Sequence, residues 1–202
     1  MLEPYVHPYS TVAPYRFEAP GVHLEEEPLA PELLHLGECA AARFRWSGDA
    51  EIAQREAVHA TILRALSYDH FDTNEVQTPQ QYKAITYARF LDGSSRERGL
   101  QYALYKGPYA RSRTTNLRSR LGDTEAWLAA LLGVVMLQTP LNPYPIRNNE
   151  VVHVDKLAFR EWTTDGYAGW FNAGREWWGT FLWTIAWPER GVLVGITASS
   201  TD

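Results

Sequence analysis

Cysteine is almost absent. Cys39 is the one cysteine among 202 residues, which excludes an internal disulfide framework and any cysteine-based zinc knuckle within one chain. A lone thiol fits a reducing compartment. Long apolar runs are lacking too. The longest, Ala126–Leu137, has 12 residues, against about 20 for a helix that crosses a bilayer. The opening MLEPYVHPYS carries neither a basic nor an apolar stretch, so no secretory leader is expected. There is no G-x-S-x-G, P-loop, G-x-G-x-x-G or H-E-x-x-H. Membrane-spanning, collagen-like and disulfide-stapled classes are therefore excluded, and function must be argued from organisation. With 45% hydrophobic residues at this length, one domain with its own core is expected, with or without a smaller appendage.

Charge is present but segregated. The net charge of −5 divides into −8 over residues 1–82, +7 over 83–120 and −4 over 121–202. A basic block between two acidic ones lets copies of the chain attract one another, or cancels within one molecule as solvated faces.

Proline is concentrated at the start. Pro4, Pro8, Pro14, Pro20, Pro28 and Pro31 are half of the 12 prolines, interleaved with Tyr5, Tyr9, Tyr15 and Phe17. Fixed φ angles and missing donors favour extended backbone. Such an arm cannot bury itself, so its aromatic rings are read as anchors on the body or on a neighbouring chain. The run Glu25-Glu26-Glu27 reads as solvated or facing a basic partner.

Ala42–Trp46 alternates apolar residues with Arg43 and Arg45, as a strand does. Asp49 caps a helix carrying Ile52, Val58, Ile62 and Leu66. Thr78-Pro79-Gln80-Gln81 reads as a capping box for a second helix with Tyr82, Ile85, Ala88 and Leu91 on one face, ending near Gly93. Ser94-Ser95-Arg96-Glu97 starts a third, with Leu100, Ala103 and Leu104. An Arg-rich continuation runs from Tyr109 to Gly122. Asp123 then caps Thr124–Leu137, apolar nearly all round and hence a core helix or a subunit interface. Six of the eight tryptophans lie between Trp162 and Trp187. Period-two alternation on both sides of Pro188-Glu189-Arg190-Gly191 predicts a β-hairpin over Trp177–Ala198. One hairpin is marginal alone, so it needs Val151–Val154, Ala42–Trp46 or another subunit to complete a sheet.

Chemistry-bearing constellations are weak. His70 with Asp72 and His153 with Asp155 are two-ligand fragments, where a metal needs three or four. His35 and Cys39 would share a helix face. Glu161 with Asp165 is a carboxylate pair with nothing to split its pKa values. No cofactor and no metal is expected. The basic block is richer: Lys83, Arg89, Arg96, Arg98, Lys106, Arg111, Arg113, Arg118 and Arg120 are interleaved with tyrosines, a composition suited to phosphates and bases. The i, i+2 spacing of the arginine pairs forms no narrow helical stripe.

The stretches DAEIAQREAVHATILRALSYD, FDTNEVQTP, TPQQYKAITYARFL and GLQYALYKGPYARSRTTNLRSRL together resemble the head–tail connector (neck adaptor) proteins of tailed bacteriophages. The likeness lies in helix order, the capped second helix and a Tyr/Arg-rich last helix, and covers Asp49–Leu121. The arm, the apolar helix and the Trp-rich hairpin have no counterpart. The resemblance implies a structural virion protein without catalytic residues, assembled in the host cytoplasm. It would form a ring of copies between portal and tail proteins, with DNA passing through and no membrane contact.

The fold expected is α+β: a small helical bundle with an extended N-terminal arm (1–41), a helical body (42–139), and a linker with a Trp-rich β-hairpin or small sheet (140–202). The expected arm anchors are Tyr5, Tyr9, Tyr15 and Phe17. Arg96, Arg98, Arg111, Arg113, Arg118 and Arg120 are expected to face DNA or a neighbouring subunit. The other readings are a nucleic-acid-binding protein using 83–120, a soluble immunity protein that binds a toxin through the acidic segments, and a small hydrolase using His and Cys39.

Overall fold

The computed structural model describes residues 13–36, 39–68, 76, 81–93, 98–105, 117–139, 151–165, 171–172, 174–175 and 179–199. Its centre is the predicted hairpin: β9 (Thr180–Trp187) and β10 (Val192–Ser199), turned at Pro188–Arg190. β10 pairs on its other side with β4 (Cys39–Gly48), so the hairpin is completed by the Ala42–Trp46 segment of the same chain.

Around that seam lies an antiparallel sheet in the order β1-β2-β4-β10-β9-β8-β5. Its other members are β1 (Arg16–Ala19), β2 (Val22–Glu27), β5 (Tyr82–Ile85) and β8 (Ala158–Trp162). The two-residue β3 (His35–Leu36) folds back on β4. The expectation of a small helical bundle is therefore corrected: the protein is mostly sheet, with five short or medium helices among the described residues. The arm is corrected as well. Residues 16–27 form a hairpin at the sheet edge, because Val22 and Leu24 alternate with polar residues and bury one face.

One side of the sheet is covered by α2 (Ala50–Tyr68). Asp49 Oδ1 accepts from the N–H groups of Glu51 and Ile52, the cap read from the sequence. These two bonds also hold the Asp49 carboxyl below its usual pKa. Ala53, Ala57 and Ala60 let α2 lie close to Leu24, Ala42, Phe44 and Leu193. The closest approach is at Gly195, where a Cβ would stand 2.0 Å from Thr61 Oγ1.

The other side carries α3 (Tyr87–Asp92), α4 (Leu100–Tyr105) and α5 (Leu117–Leu132). Phe90, Leu100, Leu104, Trp127, Leu128 and Leu131 pack there with Phe159, Trp183, Ile185, Trp187, Val194 and Ile196. The apolar helix is thus buried within its own chain. It ends at Gly133, whose φ of 72° is costly for other residues. The chain then forms β6 (Met136–Gln138), paired in parallel with β7 (Val151–His153). Asp123, expected as a cap, lies inside α5.

The second predicted helix is also corrected. Tyr82–Ile85 is an edge strand on β8, and Thr86 Oγ1 caps the short α3 by accepting from Arg89 N–H. Tyr82 and Ile85 suit one helix face by spacing. As a strand they serve two cores at once, Tyr82 lying tilted against Trp162 and Ile85 opposite Phe159. α1 (Pro31–Leu34) is one turn whose Leu33 carbonyl accepts from Trp127 Nε1.

Gly195→Ala is expected to lower stability by about 1–3 kcal/mol through overpacking. Adding Thr61→Ala recovers part of that loss. Denaturant midpoints of the single and double variants test this.

Candidate functional site

α2 lies across β2, β4, β10 and β9, while on the opposite side, among the described residues, α3–α5 cover β8, β9, β10 and the Cys39–Ala41 start of β4. On β1, β2 and the outer part of β4 the side chains on that side are polar, because period two places them opposite Phe17, Leu24 and Phe44. The register sets Arg16 beside Glu25 beside Arg45, Glu18 beside His23 beside Ser47, and Glu27 beside Arg43. Arg16 Nη2 lies 2.6 Å from Glu25 Oε1, and His23 Nδ1 3.3 Å from Glu18 Oε1. Glu27 is shared: Oε2 is 2.8 Å from Arg43 Nε and Oε1 is 2.8 Å from Arg45 Nε. Arg45 also donates to the Arg190 carbonyl.

Exposure grades this array. Glu27 and Arg43 are mostly covered, while the side chains of Arg16, Glu18 and Arg45 are 70%, 79% and 55% exposed. Exposed ion pairs contribute roughly 0–1 kcal/mol each. They can be traded for a partner's charges at little cost in folding, on a backbone held by the ladder beneath.

The far side of the same strands holds the start of the described chain. The Arg64 guanidinium forms a two-point pair with Glu26, at 2.8 and 2.7 Å, and donates to the Ala13 carbonyl. Tyr15 N–H donates to Glu26, and Tyr15 O–H donates to Glu56. Burial, and then the neighbouring Glu56 carboxylate, raise the Tyr15 phenol above its ordinary pKa. Tyr87, which donates to Glu125, is raised for the same two reasons. Glu26 is the middle of the glutamate run read as solvated or facing a basic partner, and Arg64 is that partner. Glu26 is buried because alternation turns it toward α2.

At the opposite end of the sheet, Gln81, Tyr82, Lys83, Glu161, Trp162, Thr163, Thr164, Asp165 and Thr180 line an open cleft of about 310 Å³. Its carboxylates are neutralised, Glu161 by Arg89 at 3.2 Å and Asp165 by Arg175 at 2.6 Å. Trp162 Nε1–H donates to Thr184, whose hydroxyl donates to buried Gln54, fixing the indole.

The residues singled out in the sequence are scattered. Tyr15 and Phe17 pack against α2. Arg98 is exposed, with its guanidinium 4.1 Å over the Tyr102 ring. Arg118 and Arg120 fall in the first part of α5. Tyr5, Tyr9, Arg96, Arg111, Arg113, His70 and Asp72 lie outside the described residues. His35 and Cys39 sit on paired strands rather than a helix, and Cys39 is fully buried. Among the described residues, no three His, Cys, Asp or Glu side chains converge as a metal site. The charged rows were missed: ARFRW shows the alternation of one strand, but Glu25-Glu26-Glu27 is an unbroken run, and which strands lie side by side is not a local signal.

Removing one member of a largely buried ion pair strands the other. Glu26→Ala is expected to cost about 3 kcal/mol, and Glu26→Leu combined with Arg64→Met to recover most of it, measured by urea unfolding. A phenol raised on folding stabilises below its unfolded pKa, near 10, and that contribution fades as pH climbs past it. Stability is therefore expected to fall above about pH 10, with a shallower slope in Tyr15→Phe/Tyr87→Phe; urea midpoints against pH test this. Compared with known proteins, the chain matches no family model, no curated protein and no solved structure.

Proposed function

We propose that this chain is a binding protein that works as a single copy and holds a partner protein against the ion-paired face of β1, β2 and β4, in the manner of an immunity or inhibitor protein. The observation that carries this reading is the half-covered sheet. Its exposed rows of alternating Arg and Glu, backed by a buried core, form a rigid polar template. Complementary charge patterns of this kind set partner choice and association rate more than raw affinity. The partner's surface carries cations where Glu18 and Glu25 stand and carboxylates where Arg45 stands.

The remaining surface agrees. Among the described residues only Ile52 and Val135 are exposed large hydrophobics, so no broad apolar face calls for permanent assembly. A ring at a phage neck is the competing proposal. It drew on an unanchored arm, a sticky apolar helix and a hairpin in need of strands. The described part of the arm, that helix and the hairpin all pack within one chain.

Light scattering is expected to give the mass of one chain; a closed multimer would return the argument to the ring. Glu18→Lys/Arg45→Glu is expected to melt within a few degrees of the native protein. It should lose partner capture from the source-cell lysate by roughly tenfold or more. Unchanged capture would sink the assignment of this face.

A further inference from the structure

The ion-paired face ends at β1, and there the backbone itself is open. Glu26 N–H donates to the Tyr15 carbonyl at 2.9 Å, which sets the phase of the β1–β2 ladder. In an antiparallel pair, residues alternate between exchanging bonds with their partner and facing away. Tyr15, Phe17 and Ala19 therefore direct their backbone groups at β2. Arg16 and Glu18 direct theirs outward, and among the described residues no strand lies beyond them. Pro14 stands at the next outward position, and Pro20 begins the turn into β2. Neither has an N–H to offer. The open edge is thus bounded at both ends, which limits pairing to a short segment.

What an added strand would meet is fixed by the rows. Arg45, Glu25 and Arg16 lie side by side with alternating signs, and Ser47, His23 and Glu18 form the next row on the same face. Arg16 and Glu18 end these rows, and both are mostly exposed. The residues whose backbone points outward are therefore also those whose side chains lie on the charged face. Each row continues only with the opposite sign, because like charges directly opposite across a ladder repel. The first asks for a carboxylate beside Arg16, the second for a cation beside Glu18. Between them Phe17 faces the α2 side, half-buried against the core of Leu24 and Phe44. An apolar residue opposite would cover the rest of its ring. Every pair in the main sheet is antiparallel, so the strand that meets these demands reads cation, apolar, carboxylate. A slip by one residue would turn its charges toward α2.

We propose that the partner protein held by the ion-paired face supplies an extended segment of the pattern Lys/Arg–apolar–Asp/Glu, which adds antiparallel to β1 as a further strand. This rests on the assignment of that face as a binding surface and names how the partner engages it. Main-chain hydrogen bonds to Arg16 and Glu18 set the register, and the charges of the segment extend the two rows. This is strand addition, in which backbone gives affinity and alternate side chains give selection. The chain's own Arg16-Phe17-Glu18 has the same pattern. Two copies joined at β1, however, would lie with their ion-paired faces side by side in one sheet, leaving the rows of β2 and β4 uncovered. A different protein can add the strand and also close over those rows, which makes it the occupant.

The probe is a labelled peptide with Val-Lys-Val-Glu-Val at its centre, followed by fluorescence anisotropy at low salt on the full chain. Its counterpart with lysine and glutamate exchanged has the same composition and charge. The first is expected to bind roughly fivefold or more tightly. N-methylation of the lysine and glutamate amides, which face β1, is expected to weaken it roughly tenfold or more, while methylation of the central valine amide spares it. Arg16→Glu/Glu18→Arg is expected to reverse the preference between the two peptides. These exposed pairs add little to folding, and a melting curve confirms it. If that variant fails to fold, the methylated peptides on the native chain decide alone. The proposal is overturned by no binding, by equal binding of the exchanged peptide, or by indifference to which amide is methylated. Those results, with capture still lost in Glu18→Lys/Arg45→Glu, overturn the strand and leave the face. Unchanged capture in that variant, with the peptide preference intact in the native chain, overturns the face, and with it the partner's place there, while the edge remains. A dimer of the chain that the peptide dissociates would assign the edge to a second copy and overturn the proposal.

Discussion

Cys39–Arg45 and Val192–Ala198 are separated by most of the chain, yet they pair residue for residue in the centre of the sheet. Every other element rests on that seam. The β1–β2 hairpin extends the sheet from β4, and β8 and β5 extend it from β9. α2 packs across the seam on one side, with Gly195 giving way to Thr61, and α3–α5 close the other over Val194 and Ile196. Bringing such distant segments together costs loop entropy that only the two cores can repay. The fold therefore stands or falls as one unit, with β4 and the last strand, β10, side by side.

The seam also explains why the sheet is unequal. α2 is long enough to span four strands, and its alanines allow a close, even contact. On the other side the helices are short and gather over the tryptophans of β9. Nothing among the described elements reaches β1, β2 and the outer half of β4 on that side, so those positions face solvent. Charges across neighbouring strands satisfy one another there. The binding reading follows from this asymmetry.

Much of the sheet's centre was legible. The alternation in TFLWTIAW and VLVGITAS, with Pro188 to Gly191 between, is a local pattern and needs no distant partner to be read. So is the Asp49 cap, since a cap and its donors lie within one turn. The errors share one cause. Tyr82 and Ile85 fit a helix face and a strand equally well, and Trp162 and Phe159, far along the chain, made the choice. The arm looked unable to bury itself because proline content speaks of backbone stiffness, whereas Arg64 on α2 supplied the partner that holds Ala13, Tyr15 and Glu26. The candidate site was less legible than the fold. Its charges were seen as a block-by-block balance, while the face depends on which strands lie side by side.

The amino-acid sequence by itself determined the elements whose signals are local: the hairpin, the long capped helix, the strand at Ala42–Trp46, and the absence of any disulfide framework. Tertiary structure alone decided the partner of each strand, the depth at which Glu26 lies, and which charges share an open face. Those outcomes depend on contacts between residues tens of positions apart, and short-range spacing carries no information about them.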